Sequence, residues 1–180
     1  MFNQILFARI GWGVDYQGGD LVGRFRDDAW WEQYNFLRGP GDRCYGYIPP
    51  VGKLQRPPQP KTPNDWLVVF VSHENGTGAA MPVGFYVGAN FESDYTPRPD
   101  GPTDQFGAAC GFCVSTEAAY LIPTKKRSEF ALPVEVTRMF TRSYAYARGN
   151  GLNENEPWRL LLAEIAERVA AAKRRFKKIG

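Results

Sequence analysis

The sequence predicts an α+β protein: a small closed or partly closed β-barrel that ends in an amphipathic helix. Three observations lead to it. Short runs of β-branched and aromatic residues, separated by glycine, proline and asparagine turns, fill residues 1–148. The run WLVVFVS (66–72) is apolar almost throughout rather than alternating, which asks for burial on both faces of its strand. From Pro157 onward the apolar residues switch to a helical period.

In order, Ile5–Ile10 is the first strand, stopped by Gly11-Trp12-Gly13. Cys44–Ile48 is a short second strand ended by Pro49-Pro50. Trp66–Ser72 and Val83–Ala89 carry the strongest strand signals. The loop between them, with Asn75-Gly76 and Gly78, joins them as a hairpin. Cys113–Ile122 and Arg142–Arg148 supply further strands, the latter with Tyr144 and Tyr146 on one face. Gly52–Asn64 and Tyr95–Asp104 are proline-rich and read as connections, because proline removes a donor that a central strand needs. They are expected to be ordinary long connections, with semi-rigid surface arms bearing Lys53, Arg56, Lys61 and Arg98 as the alternative.

Glu154-Asn155-Glu156-Pro157 is a helix start, with acid before it and proline at a permitted position. Trp158, Leu162, Ile165, Val169, Ala172, Phe176 and Ile179 then recur at alternating spacings of four and three. That predicts a heptad-like stripe on a helix of about 22 residues. The stripe fits packing against the barrel, dimerisation, or a connector to a following domain. RRFKKIG reads as a cut between domains. The chain therefore divides into a barrel domain over 1–150 and a basic helix over 151–180.

Composition narrows the function classes. Aromatic residues make up 14% and charged residues 23% of the chain, so a packed core is expected rather than disorder. No run is long and apolar enough for a membrane span, and the N-terminus lacks a secretory pattern. Three cysteines make no disulfide framework, and a cytoplasmic location is the expectation. Net charge is +3, but residues 157–180 hold seven basic and two acidic side chains, leaving the preceding 156 residues at −2. A body of that charge excludes non-specific polyanion binding over its whole surface and leaves local recognition open.

Catalytic patterns are missing. His73 is the single histidine and lies in a glycine-rich turn, with no neighbour in sequence to orient it. Cys44, Cys110 and Cys113 do not have zinc-ligand spacing. Cys110-Gly111-Phe112-Cys113 runs into a strand, where positions three apart face opposite sides, so buried thiols are expected rather than a dithiol. GGDLVG (18–23) lacks the lysine and hydroxyl of a phosphate loop. The expectation is a non-enzyme with no cofactor and no metal. What stands out is aromatic: Trp12, Tyr16, Trp30, Trp31, Tyr34, Phe36, Tyr45, Tyr47, Phe85, Tyr86, Tyr144 and Tyr146. These are either core or the walls of a site for a flat ring.

The order of motifs then matters. FARIGW (7–12), YNF (34–36), YGYI (45–48), WLVVFVS, VGFYVGANF (83–91), YLIP (120–123), FALP (130–133) and RSYAYA (142–147) form a series. It resembles the EVE-like domains of the PUA superfamily, related to YTH domains and found at the N-terminus of modification-dependent restriction proteins. The family's GWM is Gly11-Trp12-Gly13 here and its GWY is Gly84-Phe85-Tyr86, which leaves the preferred base open.

The resemblance implies a small barrel with flanking helices and an aromatic pocket. That pocket takes a flipped-out modified base, such as a methylated or hydroxymethylated one. It also implies modified double-stranded DNA as partner and a fused or separate nuclease or other effector in restriction or defence, with no membrane. Carried onto this chain, Trp12 is the candidate pocket wall, with Asp15 and Tyr16 at the same rim. Asn35 is placed to meet a base edge, and Tyr45, Tyr47 and Tyr86 are the further pocket residues. Arg24, Lys53, Arg56 and Lys61 are the candidate backbone contacts. Core packing is the competing role for each aromatic and is the expected one for Phe36 and Phe85. The alternatives are an RNA-binding PUA-like module and a protein-interaction or dimerisation module.

Overall fold

The computed structural model describes residues 1–18, 29–51, 55–74, 78–103, 106–139 and 143–179. Arg24 and Lys53 therefore lie outside the described residues, as do Asn75-Gly76 of the expected hairpin turn and Arg142. The class is α+β: a mixed eight-stranded sheet with a C-terminal helix.

Strands β1 (Ile5–Arg9) and β3 (Trp66–Ser72) lie parallel at its centre, and β3 is buried along its whole length. Their alternating side chains feed two layers. Ile5, Phe7, Leu67 and Val69 face a helical layer, while Leu6, Ala8, Trp66, Val68 and Phe70 face a second, aromatic-rich core. The expected burial of β3 on both faces is thus realised, by a sheet with a core on each side.

Strand β4 (Met81–Pro97) runs on well past the expected end at Ala89, through Tyr95 and Pro97. Its first half lies between β3 and β6 (Ala118–Leu121), and its second half pairs with β5 (Gly111–Thr116). Pro97 is tolerated because the strand there pairs with β5 at Gly111, at its very end. Gly84 permits the crossing: a Cβ would come within 2.3 Å of Phe36 Cζ and 2.7 Å of the Tyr120 carbonyl.

The sheet does not close into a barrel. Its order is β2-β5-β4-β3-β1-β7, where β2 is Cys44–Gly46 and β7 is Tyr144–Arg148, and no ladder joins the two ends among the described residues. Sequence supplies the reason, because β2 runs into Pro49-Pro50, which have no N–H to donate. The Pro50 carbonyl instead accepts the Ser143 hydroxyl at 3.2 Å, so the two ends meet through a side-chain-to-backbone bond.

Two short helices follow β6, α1 (Thr124–Arg127) and α2 (Val134–Met139). The C-terminal helix α3 spans Pro157–Ala171, with Leu162, Ile165, Ala166 and Val169 buried against the helical layer. It is shorter than the stripe suggests. The chain passes through a 3-10 turn (Ala172–Arg175) into β8 (Lys177–Ile179), which pairs antiparallel with β6. Lys177–Ile179 of RRFKKIG are part of the sheet, because the free edge of β6 satisfies their backbone better than a further turn of exposed helix.

Buried thiols give a pH signature. Burial pushes Cys44 up to about 11 and Cys113 up to about 12, from an ordinary 9.0. An unfolded chain releases these protons near the ordinary value, while the folded chain holds them. Stability is therefore complete below about pH 9 and is lost as pH rises through the folded values. The denaturation midpoint is expected to fall across that alkaline window, and a flat midpoint contradicts the burial. Burial also raises the Tyr86 phenol and acts in the same direction.

Candidate functional site

The expected pocket residues fall into three places. The first is the loop after β1. Trp12 is buried at 8% exposure, with the Arg127 guanidinium 4.7 Å from its ring centre. Tyr16 takes a left-handed backbone (φ 54°) and turns its phenol back into its own loop. There it accepts from the Gly13 N–H at 2.9 Å and donates to the Gly11 carbonyl at 2.7 Å. Burial pushes that phenol up, opposed by the Arg127 charge.

Arg127, itself 0% exposed, donates to the carbonyls of Gly13 (2.6 Å), Val14 (2.7 Å) and Ile122 (3.0 Å). Buried Glu32 accepts the Gly11 N–H. Asp15 is half-buried and caps a local turn by accepting the Gln17 N–H at 3.0 Å. This loop is a closed knot, with Trp12 in contact with a cation rather than with an open cavity.

The second place joins Asn35, Tyr47 and Tyr86. Asn35 is fully buried; its amide donates to the Tyr47 carbonyl at 2.9 Å and accepts the Tyr47 N–H at 2.8 Å. The edge expected to meet a base thus binds β2's extension to the preceding 3-10 turn (Ala29–Tyr34). The Tyr86 hydroxyl donates to the Asn35 carbonyl, and its ring sits among Phe36 and Phe70 at 5.5 and 4.9 Å. Tyr16, Asn35 and Tyr86 are sealed in the interior, and so are Phe36 and Phe85, as expected.

Tyr45 belongs to a neighbouring hub around Arg98. Its hydroxyl donates to the Pro40 carbonyl at 3.0 Å, and its ring lies 4.9 Å from Phe112. Arg98 does not sit on a surface arm: its side chain is 1% exposed and holds Asp100 through two bonds of 2.9 and 2.6 Å. It also donates to the carbonyls of Tyr34 (3.0 Å) and Tyr45.

The third place is the seam left open between β2 and β7. Tyr47 packs on Tyr95 at 5.1 Å, tilted by 33°, and on Trp31 at 5.2 Å, edge-on. Gly111 makes room for Trp31, since a Cβ there would approach its ring to 2.8 Å. Tyr95 donates to the Ile48 carbonyl at 2.7 Å. Burial raises its phenol most, with Cys113, Tyr47 and Tyr144 adding to the effect.

Tyr144 and Tyr146 continue the line at 5.9 Å from each other, and Tyr146 reaches Trp66 at 5.4 Å. Trp31, Tyr95, Tyr144 and Tyr146 are all half-buried, so each is partly accessible to solvent. The proline-rich segment borders this seam: Gln59 bonds the Ser93 carbonyl at 2.8 Å through its side chain and meets the Tyr146 phenol through its backbone. Exposed Arg56 lies three residues before Gln59, whereas exposed Lys61 is tied through its N–H to Asn150 at 2.8 Å.

Of the expected pocket residues, the fold brings Tyr47 alone to this seam. Tyr95, Arg98, Arg127 and Glu32 carry structural weight that sequence reading missed. Tyr95 and Arg98 fall in a proline-rich segment that reads as a connection, and no sequence pattern singles out Arg127. His73 is half-buried with Nδ1 3.0 Å from the Gly78 carbonyl, and burial lowers its pKa. Among the described residues no cluster of histidine, cysteine and carboxylate side chains has the makings of a metal site, and no helix is long and apolar enough to cross a membrane. No protein-family model, curated protein or solved structure matches this chain.

Proposed function

We propose that the chain is a non-catalytic binding module that takes a modified nucleobase, flipped out of double-stranded DNA, against the tyrosine seam. The fold is read as a partly closed PUA-like barrel whose unclosed edge is the binding mouth, serving as the specificity module of a nuclease or other effector. The observation that supports this reading is the line of half-buried rings formed by Trp31, Tyr95, Tyr144 and Tyr146 beside buried Tyr47. Ring faces at the rim of a core suit a planar base, and stacking contributes about 1–3 kcal/mol per base. A methyl group on that base adds buried apolar area at about 25 cal/mol per Å².

The test is titration of the full chain with duplexes carrying 5-methylcytosine, 5-hydroxymethylcytosine, N6-methyladenine or no modification. One modified duplex is expected to bind at least about tenfold more tightly than the unmodified one. Tyr144→Ala is expected to remove most of that preference while the protein stays folded, because Tyr144 is half-buried on an edge strand. Equal weak binding to all four duplexes, or tighter binding to single-stranded RNA, overturns the reading.

A further inference from the structure

The tail's positive charge is concentrated by the fold. β8 pairs with β6 in the register Leu121↔Lys177 and Tyr120↔Lys178, which sets Lys177 beside the end of β6 from which α1 departs. Phe176 anchors the turn by packing edge-on against Phe85 and Phe130, at 6.0 and 5.8 Å. Lys126 of α1 closes the gap by donating to the Arg175 carbonyl at 3.3 Å.

The edge built by α1, the 3-10 turn and β8 therefore carries Lys125, Lys173, Arg174, Lys177 and Lys178, all exposed and without an ion pair among the described residues, with Lys177 and Lys178 projecting to opposite sides of the edge strand. The acids at its border are already engaged, Glu129 with Arg175 at 2.6 Å and Glu117 with Arg43 at 2.7 Å. Cations drawn from two separate stretches of the chain repel one another, and a polyanion lying over them offsets that repulsion.

We infer that this edge, formed by α1, the 3-10 turn and β8, is a docking surface for the phosphate backbone of a nucleic-acid duplex. The inference rests on the proposed function in taking the polyanion to be nucleic acid, and it adds a contact that positions the duplex without reading its sequence. A lipid surface fits less well, because membrane-docking faces pair their cations with apolar side chains that insert. The exposed large apolar residues, Met1, Val14, Phe106, Val134 and Leu160, all lie outside these three elements. The edge is also distinct from the seam, because β8 pairs with β6 whereas the seam lies between β2 and β7.

The experiment measures binding of modified and unmodified duplexes over a range of salt, for the full chain and for a Lys173→Gln, Arg174→Gln, Lys178→Gln variant. Each phosphate contact contributes about 0.9 to the slope of log affinity against log salt. The variant is expected to bind both duplexes at least about tenfold more weakly at low salt, with a slope shallower by about 2 and an unchanged ratio between the duplexes.

Unchanged affinity and slope overturn the inference while leaving base reading intact. Equal loss on duplexes that show no modification preference upholds the docking surface and removes the proposed base reading. Tighter binding to vesicles of equal phosphatidylcholine and phosphatidylserine than to duplex DNA overturns the inference as well.

Discussion

Arg98→Ala is expected to lower the unfolding free energy by about 3–5 kcal/mol, the range for breaking one partner out of a buried ionic contact. The guanidinium is 1% exposed and faces Asp100, whose side chain is 11% exposed. Both oxygens of that carboxylate are held, at 2.9 and 2.6 Å. The same group bonds the Tyr34 carbonyl at 3.0 Å and the Tyr45 carbonyl, and it lies 5.9 and 5.6 Å from their rings.

Removing it strands a carboxylate and takes a donor from the carbonyls of Tyr34, Leu37 and Tyr45, at the junction of the 3-10 turn, β2 and the end of β4. Each stranded acceptor costs about 1–3 kcal/mol. Arg98→Lys is expected to recover less than half the loss, because an ammonium cannot span both the carboxylate and the carbonyls that the planar fork reaches. Denaturant midpoints of the two variants provide the measurement. A loss under about 1 kcal/mol for alanine, the range of an exposed pair, contradicts the hub.

These arginines also mark where sequence reading succeeds and where it stops. β1, β3 and the β3–β4 pairing were legible because burial on two faces leaves continuous apolar runs and the pairing is local. β3 falls at Trp66–Ser72, as its composition predicts. The stripe through Leu162, Ile165 and Val169 identifies a buried helix face for the same local reason.

The end of α3 was not legible. Phe176 and Ile179 continue the helical spacing, yet their burial comes from the 3-10 turn's C-cap and from β8. What decides between helix and strand there is an unpaired edge of β6, over fifty residues earlier, which no local periodicity reports. In the candidate site, composition named the aromatics but could not rank them. Tyr86 and Tyr146 look alike as tyrosines on strands; one is sealed between Phe36 and Phe70, and the other is half-buried at a seam. That difference is set by where the ladder fails to close, a property of Pro49-Pro50 meeting β7 across about 93 residues of chain.

Trp12 raises the same question in a form that two substitutions decide. Trp12→Ala is expected to cost about 3–5 kcal/mol, as for a large aromatic removed from a core. Arg127→Ala is expected to cost at least about 3 kcal/mol, because the carbonyls of Gly13, Val14 and Ile122 lose their donors together. The ring and the guanidinium are in direct contact at 4.7 Å. Their double variant should therefore fall short of the sum by about 1–2 kcal/mol, the worth of a desolvated cation–π contact and of a knot that is lost once.

Strict additivity would mean that the two side chains stabilise the loop independently. Trp12→Phe separates packing from recognition, since it keeps an aromatic plug of smaller area. With Trp12 as a plug, this variant loses stability by about 1–2 kcal/mol and keeps the preference for a modified duplex. A folded Trp12→Phe protein of unchanged stability that loses the preference about tenfold would return Trp12 to the binding surface. The 8% of its surface left exposed would then be the part that matters.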